Sequence, residues 1–166
     1  MKIRISEEMK QVARDHQRKM SSQRKGGNYT GVEVKDRWYN GKLGELCFQV
    51  LLDRKEVRYE YTETDGKPDK QDFIVYYRGK PLTIDVKTST GGYTKYLATP
   101  IKRFQKDNHD FYVAVRLDGD IGEFVGYLRS DDMKRLDKDF FKEPNMGAHY
   151  DDCKDITLML DGVDRI

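Results

Sequence analysis

The chain has 166 residues, enough for one well-buried domain and too few for two full ones. Charged residues make up 36% and hydrophobic ones 37%, and no apolar run nears the roughly 18 residues of a membrane span. Net charge is only +2, which argues against a protein that coats DNA generically. Residues 1–43, however, carry about six more bases than acids, and residues 117–166 about six more acids than bases. A basic front and an acidic rear would orient the protein on a polyanion, though ordinary surface charge accounts for the rear equally well. The N-terminus lacks the apolar segment of a secretion signal, so a cytoplasmic location is expected.

Residues 6–23 read as a helix with a thin apolar stripe of Met9, Val12, Ala13 and Met20, and 21–30 as a polar loop. A second helix is expected from about Val34 or Asp36 to Asp53. Leu43, Leu46, Cys47, Val50 and Leu51 keep helical spacing, and Phe48 and Leu52 widen the buried face. Glu45, Gln49 and Asp53 form a polar strip at i, i+4, i+8; solvent or a functional site could face it. Strands follow at 57–62, 72–77 and 82–88, the last two joined by a turn over 78–81. Gly91 and Gly92 end that sheet segment. Thr99 reads as an N-cap and Pro100 as the first residue of a short helix over 100–107. Strands at 111–117 and 123–128 come next. Ser130, Asp131 and Asp132 predict a helix to about Leu136. Residues 140–150 read as an aromatic-rich loop and 156–160 as a last strand. The core order is αβββαβ, followed by an additional strand.

The hairpin over 72–87 is the most informative stretch. Strand side chains alternate, so Leu82, Ile84 and Val86 point one way and Thr83, Asp85 and Lys87 the other. Asp72, at the start of the first strand, would meet Asp85 and Lys87 beside an otherwise apolar sheet. Charges there are costly unless they pair or bind a metal. An exposed edge strand with a surface salt bridge is the plain alternative.

A strand acid, then acid–x–lysine on the next strand, with Glu45 on the preceding helix within Asn40–Gly41–Lys42–Leu43–Gly44–Glu45, resembles the PD-(D/E)xK nuclease superfamily. The resemblance covers roughly residues 36–130. Pro68 does not directly precede Asp72, which leaves Asp69 as a competitor for the first acid; Asp72 is preferred because it opens the apolar run. The resemblance implies an α/β (α+β), restriction-endonuclease-like αβββαβ core with a central mixed sheet and an added N-terminal helix. The single domain would comprise a basic helical extension (1–35), a catalytic core (36–130) and a C-terminal addition (131–166). It implies a metal-dependent DNA endonuclease. Asp72, Asp85 and the Val86 carbonyl would bind Mg²⁺, for which Mn²⁺ would substitute. Glu45 would bind a second ion or orient a metal-bound water, and Lys87 would act on the attacking water. A non-catalytic nucleic-acid-binding module on the same fold is the alternative, and a structural or interaction protein the third reading.

DNA phosphates would meet Arg18, Lys19, Arg24 and Lys25 at the front, and Lys95, Lys102, Arg103 and Lys106 beyond the active strand. Thr88 and Ser89 are further candidates for phosphate contact. Among the histidines, His16 could approach phosphate or metal, and His109 is expected at the surface. Cys47 should be a core residue and no disulfide with Cys153 is expected; Trp38 should anchor packing. Homodimer or monomer stays open, as do DNA against RNA and the biological role.

Overall fold

The computed structural model describes residues 1–23, 32–62, 71–91, 95–137 and 143–166. Arg24, Lys25 and Asp69 lie outside these residues. Strand β1 (Lys2–Arg4) leads into helix α1 (Glu7–Gln23). Ser6 caps that helix, accepting from the Met9 N–H at 3.2 Å, and Glu7 and Glu8 suit its positive end. Met9, Ala13 and Met20 turn inward as the 3.6-residue period requires, while Val12 is exposed. Helix α2 (Val32–Arg54) buries Leu43, Cys47, Phe48, Leu51 and Leu52.

Strands β2 (Tyr59–Tyr61), β3 (Phe73–Tyr77) and β4 (Lys80–Thr90) follow. Strand β5 (Tyr96–Pro100) and helix α3 (Ile101–Asp107) separate them from β6 (Phe111–Asp118) and β7 (Ile121–Arg129). The central sheet has six strands in the order β1-β7-β6-β4-β3-β2. It is mixed: β4 and β6 run parallel, joined through β5 and α3, and the other pairings are antiparallel. Strands β8 (Lys134–Leu136) and β9 (Asn145–His149) join β5 in a second sheet, β5-β9-β8, and helix α4 (Ile156–Leu160) follows. The architecture is a mixed α/β one, a central sheet with flanking helices.

Alternation along β6 divides the core in two. Val113 and Val115 join Leu43, Phe48, Leu51, Phe73, Ile84, Val86 and Leu160 in the larger cluster, on the face covered by α1 and α2. Tyr112 and Ala114 point the other way, into a smaller cluster with Leu97, Leu128, Met133 and Ala148 under the second sheet. Cys47 and Cys153 are both free thiols, the first wholly buried.

Four expectations are corrected. Residues 130–132 form one 3-10 turn, after which Met133 is extended and β8 begins. Asp131 and Asp132 stand in that turn but no side chain caps it, and burying Met133 and pairing with β9 draw the chain into a strand. Part of the expected 140–150 loop is β9. Gly147 permits this, because a Cβ there would overlap the Leu97 carbonyl of β5. The expected strand at 156–160 is α4. Asp155 caps it, accepting from the Thr157 N–H at 2.8 Å, and Ile156, Met159 and Leu160 meet the core at i, i+3, i+4. Thr99 is not an N-cap; it lies within β5 and is buried, and Pro100 takes the cap position. Strands β1 and β5 were not expected at all.

The β3–β4 turn at Arg78 and Gly79 is held from the far end of the chain. Asp164 accepts from both backbone N–H groups at 2.8 Å. Asp164→Ala should destabilise the protein by about 1–2 kcal/mol through loss of these two bonds. Urea denaturation measures this, and an unchanged midpoint would show that water replaces the carboxylate without cost.

Candidate active site

Strand β4 outruns β3. Their pairing ends at Phe73 opposite Ile84, so from Asp85 onward one edge of β4 has no strand beside it among the described residues. Asp72 fills the first place on that edge. Its backbone N–H donates to the Ile84 carbonyl at 3.1 Å, and its Oδ2 accepts from the Val86 N–H at 2.7 Å. The carboxylate stands in for the missing strand and is fixed opposite Asp85. On the other edge, Asp85 sits in register with Tyr112 of β6 and Lys87 with Ala114. Asp85 and Lys87 thus share the face of the smaller core cluster.

Helix α2 approaches the open edge from the opposite face. Gly44 makes the approach close: a Cβ there would overlap Thr88 Oγ1. That contact carries the next residue, Glu45, to the acids. The strip of Glu45, Gln49 and Asp53 faces β2, with Tyr61 Oη donating to Glu45 and Tyr59 Oη to Asp53, both at 2.8 Å.

The charges are strongly coupled. Asp85 is 1% exposed, and among the described residues neither of its carboxylate oxygens accepts from a backbone N–H or a neutral side chain. Its compensation is ionic: Lys87 Nζ pairs with Oδ2, and Arg103 of α3 lies 3.8 Å from Oδ1. Burial, then the negative charges of Asp85 and Glu45, push the Asp72 carboxyl well above its usual range. The Val86 N–H and Lys87 oppose that shift. Burial also raises Glu45, against the pull of Lys42 and Tyr61.

Glu45, Asp72, Asp85 and Lys87 are therefore brought into one electrostatically coupled region. Among the described residues, no three His, Cys, Asp or Glu side chains form a group that could hold a metal ion. Arg103 stands beside Asp85 and is also paired with Asp107 at 3.3 Å. Lys102 and Lys106 are exposed on the same helix, and Lys95 is exposed at the start of β5. Arg18 is exposed and paired with Asp15 at 3.3 Å. Lys19 and His16 line a cleft of about 210 Å³ whose floor includes Lys42. Ser89 Oγ accepts from Tyr150 Oη at 3.0 Å, and Thr88 Oγ1 is buried toward α2.

His109 is not at the surface. It is 5% exposed, edge-on to Tyr112 with ring centroids 5.8 Å apart. Burial lowers its pKa and, with the charge of Asp85, pushes Tyr112 up to about 12. Sequence reasoning missed Lys42, Tyr61, His109 and Tyr112 as neighbours of the acids. The nearest signal was Lys42 three residues before Glu45, a spacing that brings helical side chains together. No protein-family model matches the chain, and no curated protein matches it in sequence.

Two predictions follow from the packing and the charge. Gly44→Ala should cost about 1–3 kcal/mol despite alanine's better helix propensity, because the added methyl overpacks against Thr88. Thr88→Ala should recover part of the loss, and additive losses in urea denaturation would show that the two do not meet. The second concerns pH. A folded-state pKa raised above the unfolded value means that Asp72 destabilises the metal-free protein once it ionises. The penalty is absent below the unfolded pKa, about 4, and grows as pH rises through the folded pKa. Asp72→Asn should therefore stabilise the metal-free protein at neutral pH, with the gain vanishing toward pH 4. A gain independent of pH in thermal melts would refute the electrostatic account.

Proposed function

We propose that the protein is a metal-dependent DNA endonuclease that hydrolyses phosphodiester bonds at a PD-(D/E)xK-type site, on a restriction-endonuclease-like core. The observation that carries the reading is the Asp85 carboxylate, buried with Lys87 and Arg103 as its ionic partners on a strand edge where Asp72 and Glu45 also converge. The order α2, β2, β3, β4, α3, β6 within the chain supports it, β5 being an insertion before α3.

The residues fit a hard divalent cation. Mg²⁺ takes oxygen ligands, commonly one or two carboxylates with the remainder from water and substrate. Asp72, Asp85 and the Val86 carbonyl would hold it, with Glu45 binding a second ion or orienting a water. When bound, such an ion lowers the pKa of a water and offsets charge on the phosphate. The chain's own side chains do the rest. Lys87 presents a compact ammonium to the attacking water and to the developing charge. Arg103, Lys102 and Lys106 on α3, with Arg18, Lys19, Arg24, Lys25 and Lys95, would bind the phosphate backbone and carry no sequence information.

A binding module without catalysis is the second reading. What favours it is that Lys87 and Arg103 already compensate Asp85 without an ion.

Lys87→Ala should lower single-turnover cleavage by about a hundredfold to a thousandfold, the usual cost of removing one preorganised electrostatic contact. DNA binding in Ca²⁺ should be nearly unchanged. Millimolar Mn²⁺ should raise the Tm of the wild type, and Asp85→Asn should abolish both that rise and cleavage. Near-wild-type cleavage by Lys87→Ala would leave the binding module as the better reading. The assay should span linear, branched and single-stranded substrates, RNA included.

A further inference from the structure

Lys42 is the least expected residue of the site. Its side chain is 4% exposed, and lysine is almost never buried unless it is paired. Its ammonium donates to Tyr61 Oη and, at 3.5 Å, to Glu45 Oε2. Tyr61 Oη in turn donates to the same Glu45 oxygen at 2.8 Å. The ammonium also lies 4.7 Å from the centre of the Tyr61 ring. Tyr61 is itself seated against Phe73, ring centroids 5.0 Å apart, and Phe73 follows Asp72 in β3. Lys42 and Glu45 share α2, while Tyr61 comes from β2, so the arrangement ties the helix to the sheet at the acid cluster.

Glu45 needs such a tie. It is held near two further carboxylates, both buried, whose charges repel it. Without an opposing attraction its side chain would swing toward solvent, since helical position alone leaves its outer torsions free. A buried cation on one side and a hydroxyl donor on the other supply that attraction, and low surrounding polarity strengthens both.

We propose that Lys42 and Tyr61 are positioning residues, a buried clamp that fixes the Glu45 carboxylate against the repulsion of Asp72 and Asp85. This deepens the hydrolase reading and rests on it for its catalytic consequence. The clamp touches neither substrate nor ion; it acts through Glu45.

A double-mutant cycle on the metal-free protein tests the clamp apart from any activity. Lys42→Met should lower the folding equilibrium constant at least about tenfold more in the wild type than in Glu45→Gln, because removing one partner leaves the other's charge buried alone. Equal losses in the two backgrounds in urea denaturation would overturn the proposal. Should Lys42→Met not fold at all, Tyr61→Phe takes its place, since it keeps the ring on Phe73 and removes only the hydroxyl. The same cycle then applies, with a smaller coupling expected and its absence again decisive. For the reaction, Tyr61→Phe should reduce the single-turnover rate about tenfold to a hundredfold at unchanged DNA affinity in Ca²⁺, as a misplaced catalytic group does. It should reduce it no further in Glu45→Gln; additive losses would mean that Tyr61 does not act through Glu45. If the wild type neither cleaves nor melts higher with Mn²⁺, the hydrolase reading falls, and the metal-free cycle still decides whether the clamp exists.

Discussion

The edge of β4 beyond Ile84, which no strand pairs among the described residues, is the constraint on which the site depends. A strand buried on both faces cannot leave its N–H groups unsatisfied. The Val86 N–H donates to the Asp72 side chain rather than to a strand carbonyl. That single bond sets the position of the first acid and, through the register of β3 and β4, the distance at which it faces the second. It also keeps the edge from closing. Another strand residue in that place would satisfy the backbone and leave no room for converging charge.

From this edge the rest of the architecture can be ordered. Strand β6 runs parallel to β4, so the chain must cross over between them, and α3 lies in that crossover. The crossover brings Arg103 within 3.8 Å of Asp85. Helix α2 covers the opposite face and, through Gly44, comes close enough to Thr88 for Glu45 to reach the edge. Acids from a helix, a strand and the residue that precedes another strand thus meet where no one element could have gathered them. The cost is visible in Asp72, which burial and like charge hold well above the usual carboxylate range. A fold selected for stability alone has better uses for that position, and strain of this electrostatic kind is a common mark of a working site.

What was legible in the sequence was what local periodicity encodes. Alternation from Leu82 to Lys87 is an eleven-residue strand's own signature, and the stripe from Leu43 to Leu52 is that of a buried helix. Both survive whatever packs on them. Strands β1, β8 and β9 carry no such signature. They are short, contain Lys, Arg, Asn or Gly, and owe their state to partners far away in the chain, Ile3 to Gly122 and Gly147 to Ala98. Helix α4 failed for the opposite reason: Ile156–Leu160 suits either period, and the deciding feature was the Asp155 cap. His109 looked like a turn residue because it is one. Its burial comes from Tyr112 three residues on, at the start of a strand whose other neighbour is β4.

Lys42 shows where reading a sequence by residue type runs out. A lysine on a helix is a solvated cation in most contexts, and its i+3 spacing to Glu45 suggests a pair but not burial. Its burial is a consequence of three separate facts: α2 lies flat on the sheet, β2 brings Tyr61 beneath it, and α1 closes the cleft above it with Asp15, His16 and Lys19. None of these is local. The positive charge follows from the negative ones. Two buried acids, Asp72 and Asp85, and the half-buried Glu45 need compensation on both faces of the sheet edge. Lys87 and Arg103 supply it on the side of Asp85, and Lys42 supplies it on the side of Glu45. The cations are divided by face because each acid's carboxylate opens toward a different one. Only Asp72, held at the edge itself by a backbone N–H, has no ammonium or guanidinium within ion-pair distance among the described residues, and burial, then like charge, pushes its pKa well above the usual carboxylate range. A divalent cation at the edge would complete the compensation at the one place where the side chains leave it unfinished.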